Sequence, residues 1–63
     1  MNKKYILIQY LLFTKGYDLH LSKIQKICEL EGLIDEELKD IDYMNNKIDI
    51  WIDDGIVNED DKV

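Results

Sequence analysis

The sequence has no arginine, no alanine and no proline, and only one cysteine, one histidine and three glycines in 63 residues. A single cysteine cannot close an internal disulfide, and with a single histidine it cannot furnish a Cys/His metal cluster. Without arginine the chain lacks the side chain that most often reads guanine. Long apolar runs are also missing. The longest, Tyr5–Phe13, is interrupted by Gln9 and falls far short of the roughly twenty residues that cross a bilayer. Lys3 and Lys4 precede it as in a signal peptide, but Thr14, Lys15 and Gly16 follow without a small-residue cleavage pattern. The expected location is cytoplasmic, with no membrane partner. Ten isoleucines and eight lysines beside no Ala, Arg or Pro fit an AT-rich genome, such as that of a low-GC bacterium, its phages or its plasmids.

What is present has to stabilise a very small domain. A chain of this length buries only about 60% of the surface its unfolded form exposes. With no disulfide or metal, helix packing and self-association are the remaining supports. Cys28, beside Ile27, reads as a small buried hydrophobe.

Charge is unevenly distributed. The net charge is −6. Residues 1–31 carry five lysines against Asp18, Glu29 and Glu31, and residues 32–63 carry three lysines against eleven acids, so the halves stand at +2 and −8. Such asymmetry marks either an interaction surface or a solvated face.

Three segments emerge. Lys3–Lys15 is almost wholly apolar at its centre; its leucines and the Lys15-Gly16 stop favour helix over strand. Ser22 begins a second helix through a capping box with Gln25, and Gly32 ends it, with Leu33 folding back. Asp35, followed by Glu36 and Glu37, caps a third helix. Ile34, Leu38, Ile41, Ile48 and Ile52 form its seam, Asn45 fills the gap, Met44 and Trp51 flank it, and Gly55 stops it. If continuous, Asp35–Asp54 is about 30 Å long. Lys47–Asp53 also alternates with period two, and Asp54-Gly55 is a hairpin dipeptide. The fold class is therefore all-α, a compact three-helix domain over 1–57 with a frayed acidic tail over 58–63. The alternative is α+β with a hairpin at 47–57.

No constellation specifies chemistry. Glu37/Asp40 and Asp49/Asp53 are neighbours on a helix but lie off the apolar seam, where carboxylates face water. Asp40–Asn46 brushes a calcium-loop pattern but has Asn45 where glycine is needed and Trp51 where a bidentate Glu is needed. His20 reads as a loop residue. No catalytic, metal or cofactor residues are assigned, and an enzyme is not expected.

Thr14-Lys15-Gly16, the Leu19–Ile24 opening of a second helix, the Gly32 turn, a third helix and a closing Asp54-Gly55-Ile56-Val57 resemble a small helix-turn-helix or winged-helix domain. The resemblance implies that the third helix reads DNA. That segment is laden with carboxylates, and an acidic domain gains nothing from counterion release, which argues against direct nucleic-acid binding. Two readings follow. In the first, the chain is an acidic protein-binding module, an inhibitor of the kind phages and mobile elements carry. It mimics DNA and occupies a partner's basic surface through Asp40, Asp42, Asp49, Trp51 and Asp53. In the second it is a helix-turn-helix-like regulator or assembly subunit working as a homodimer through Tyr5, Ile8 and Leu12. Nucleic acid would then approach Lys3, Lys4, Lys15, Lys23 and Lys26.

Overall fold

The computed structural model describes residues 3–63; Met1 and Asn2, which open the expected domain, lie outside the described residues. The fold is all-α. A 3-10 turn at Lys3–Tyr5 leads into α1 (Ile6–Thr14), followed by α2 (Leu21–Glu31), α3 (Asp35–Leu38), α4 (Ile41–Asp53) and a second 3-10 turn at Glu59–Asp61. α1 packs on α2 and α4, and α3 packs on α4. No β-strand forms among the described residues, only an isolated bridge between Tyr17 and Lys62. The hairpin alternative at 47–57 is therefore overturned: Lys47–Asp53 is helix, and Asp54 and Gly55 terminate it.

The core forms around Trp51, with Ile8, Leu12, Leu19, Ile24, Met44, Ile48 and Val57 fully covered. In α1 only one side is buried, through Ile8, Leu11 and Leu12, while Ile6, Tyr10 and Phe13 face outward. Helices this short cannot wrap an apolar cylinder on all sides, so Ile6, Tyr10 and Phe13 stay in water.

α2 starts two residues earlier than a serine cap at Ser22 predicts, with His20 as its cap. His20 is extended, and its Nδ1 accepts the Ser22 backbone N–H at 3.2 Å and lies 2.9 Å from the Ser22 hydroxyl. Ser22 thus lies inside the helix and not at its cap, and the Gln25 amide donates to Glu29 one turn on. At the other end Gly32 takes φ +69°, a left-handed conformation that a side chain would strain, and the Leu33 N–H closes on the Cys28 carbonyl at 3.1 Å. Leu33 folds back against the core as expected. The same closing bond recurs from Tyr17 to Leu12 after α1 and from Ile56 to Trp51 after α4.

The expected third helix is two helices. Asp40 adopts an extended conformation and its carboxylate accepts the Tyr43 N–H at 3.0 Å, so it caps α4 and stops the chain from running on from α3. The break rephases the apolar seam. Leu38, Met44, Ile48 and Trp51 are buried, whereas Ile34 and Ile41 are more than half exposed and Asn45 lies at the edge. A continuous 30 Å rod is replaced by a four-residue turn and a 13-residue helix folded on one another.

The C-terminal segment is docked, contrary to the frayed tail expected at 58–63. The Asp18 N–H donates to the Asp61 carbonyl at 2.8 Å and the Val63 N–H to the Gly16 carbonyl at 3.0 Å. Asp61 is the one buried charged side chain among the described residues. Its carboxylate takes the Lys23 ammonium at 2.6 Å and the Asn58 N–H at 3.2 Å. Lys62 lies over the Tyr17 ring, 5.9 Å from its centre. The tail closes on the loop between α1 and α2 because Asp61 has a cation to reach, which composition alone does not reveal.

Candidate interaction surface

α4 presents its carboxylates on one side. Asp42, Asp49 and Asp53, with Asn46 between, follow spacings of four, three and four, so they form a single stripe opposite the Met44/Ile48/Trp51 seam. All four are exposed. Asp49 meets Lys15 at 3.1 Å and so ties α4 to the end of α1. Asp42 and Asp53 have no ion-pair partner among the described residues. Asp40 is exposed but is not on the stripe: it caps α4 in line with Met44 and Ile48, with one carboxylate oxygen committed to the cap.

Next to this stripe, Glu37 accepts the Ile34 N–H at 2.9 Å and the Tyr43 hydroxyl. The Ile34 N–H, then the Tyr43 hydroxyl, hold the Glu37 carboxyl below its ordinary range, and the same bond to Glu37 raises the Tyr43 phenol. Both groups keep their ordinary charge at neutral pH. Glu37 and Asp40 thus serve the backbone at the α3–α4 corner and are not aimed at one another across a cleft.

Trp51 does not belong to this surface. It is fully buried, and its indole N–H reaches Glu31 at 3.3 Å, with Lys47 near the same carboxylate at 3.7 Å. Its place on the inner side of α4 follows from its spacing of three from Ile48. The residues expected to dimerise are likewise core: Ile8 and Leu12 are fully covered and Tyr5 nearly so. They belong to the core of their own chain, where α1 packs on α2 and α4 and the turn bearing Tyr5 packs on α2 and α3, and are not available to a second one.

Two other features complete the surface. Lys4, Lys15 and Lys23, three of the five lysines of the positive half, are engaged by Asp35, Asp49 and Asp61. The outward side of α1 carries Ile6, Tyr10 and Phe13, which line a shallow groove of about 360 Å³ with Gln9 and Asp18. Sequence reasoning missed this groove because the run from Tyr5 to Phe13 is apolar at every angle and gives no phase. Its only polar mark, Gln9, turns out to bond the Leu19 carbonyl at 2.9 Å.

Burial, then Glu29 and Glu31, push the Cys28 thiol up to about 11, so it stays protonated and inert. No group of three or more His, Cys, Asp or Glu side chains among the described residues is placed to hold a metal ion. No helix among them is long and apolar enough to cross a membrane. No protein-family model matches the chain, and no curated protein or solved structure matches it significantly.

Proposed function

We propose that the chain is a small acidic protein-binding module whose α4 face occupies a basic, nucleic-acid-binding surface of a partner protein, as an inhibitor from a phage or mobile element does. The observation that carries this reading is the exposed stripe of Asp42, Asp49 and Asp53, with a single lysine pairing it and the exposed cap residue Asp40 at the same end of the helix as Asp42. Carboxylates held on one helix need no reordering to meet a cationic surface, and complementary charge speeds encounter and fixes register. Magnitude limits the mimicry. A duplex as long as the protein's 28 Å axis carries about sixteen phosphates at one charge per ~1.7 Å, against a net charge of −6. The module therefore competes through the local density of one face and not as a stand-in for a whole duplex.

Regulation through DNA contact by the lysine-bearing half receives less support. Lys4, Lys15 and Lys23 are engaged by carboxylates of their own chain, which leaves few cations to neutralise phosphates.

The test is capture from a low-GC bacterial lysate on the immobilised chain, beside a variant with Asp42→Lys and Asp53→Lys. The wild type is expected to retain basic nucleic-acid-binding proteins and to release them to duplex DNA or to about 0.5 M salt, where screening shortens to a few ångströms. Retention of the same proteins by both forms, or release by neither salt nor duplex, overturns the reading.

A further inference from the structure

We infer that the groove on the outer side of α1 is covered by the same groove of a second copy, with the two α1 helices antiparallel about a two-fold axis near Tyr10. Ile6, Tyr10 and Phe13 are spaced four and three, so they share one stripe. They are 46%, 63% and 57% exposed, a contiguous aliphatic–aromatic patch on a chain otherwise rich in charge.

Charge selects the occupant. The patch carries opposite signs at its two ends. Lys3 lies one turn before Ile6 on the same stripe, is exposed, and makes no ion pair among the described residues. Asp18 rims the groove beyond Phe13 and also has no cationic partner among the described residues. Gln9 holds the connector that bears Asp18 alongside α1 through its bond to Leu19. Antiparallel pairing carries Lys3 of each copy toward Asp18 of the other, so the patch is its own complement, as an isologous interface requires. The long-range field agrees. A protein of charge −6 repels its copies through α3 and α4, and residues 1–31 form the one half that is not acidic. Pairing through α1 turns both acidic α4 faces outward. It also uses none of Tyr5, Ile8 and Leu12, which are spent on the core.

Three half-exposed side chains per copy bury less than the ~1,200 Å² of a stable interface. The dimer is accordingly weak and transient.

Sedimentation equilibrium of the full chain from about 10 µM to 1 mM tests this, with helix content checked by circular dichroism. Lys3→Asp and Asp18→Lys are each expected to weaken association about tenfold, since each reversal touches two symmetry-related pairs. The double exchange should restore it to within about threefold of wild type. Tyr10→Gln, at an exposed position that leaves the core intact, should abolish it, and Asp42→Lys with Asp53→Lys should leave it unweakened. A monomer throughout, or a dimer indifferent to Tyr10→Gln, overturns the inference. So does a double exchange no tighter than its parents.

Discussion

Asp61→Asn isolates the charge that docks the C-terminal segment. The substitution keeps the shape of the side chain and one acceptor oxygen while removing the anion that faces Lys23 at 2.6 Å. A hydrogen bond between charged groups contributes about 1.5–3 kcal/mol. The Asp61 carboxylate is covered, but the Lys23 side chain is 46% exposed, so water screens the pair and the loss falls to about 1–2 kcal/mol. Against a total of about 3–9 kcal/mol for a chain of this length, that is a large fraction, equivalent to roughly 5–15 °C in melting temperature. The pH dependence separates charge from packing. Burial pushes the Asp61 carboxyl up, but the Lys23 and Asn58 hydrogen bonds outweigh it and hold the group below its ordinary value. A carboxyl depressed on folding stabilises the native state above its unfolded pKa, about 3.9, and loses that contribution as pH falls through the folded value. The gap between wild type and variant is thus full at neutral pH and closes in strong acid. Urea unfolding followed by the fluorescence of Trp51, the sole and fully buried tryptophan, measures it. A gap of equal size at about pH 7 and pH 2.5, or none at pH 7, refutes the reasoning.

Other consequences are equally direct. Asp40→Ala removes the α4 cap and should cost about 1 kcal/mol, read as a lower urea midpoint at unchanged slope. Ile48→Ala opens a cavity at the centre of the core and should cost about 2–5 kcal/mol, enough to leave much of the helical circular dichroism lost at 25 °C. Cys28, with its thiol pushed up to about 11, should resist a disulfide reagent at about pH 8 and react fully once urea unfolds the chain; rapid labelling of the native protein would contradict its burial.

Several features were legible in the sequence because they depend on neighbours a few residues apart. Gly16, Gly32 and Gly55 mark three helix ends, and each is followed by the closing bond that a left-handed residue permits. The burial expected of Cys28 beside Ile27 is likewise found, both lying with Ile24 on the inner face of α2. The strand reading of 47–57 failed because period-two alternation over seven residues does not separate Ile48, Ile50 and Ile52, and only packing determined that Ile48 goes inside while Ile50 stays half exposed. Trp51 illustrates the same limit: a lone tryptophan serves equally as anchor or core until the phase of its helix is known.

By itself, the sequence determined the helical character of the first half, the helix ends at glycine, the absence of an internal disulfide, and the gathering of negative charge in the second half. These follow from local backbone preference and composition. The tertiary structure decided where α3 gives way to α4, which side of α1 is covered, and that Asp61 leaves solvent to meet Lys23 across 38 residues of chain. Those outcomes rest on which apolar faces fit together and on which cation lies within reach of a carboxylate, and neither is encoded within any short window of sequence.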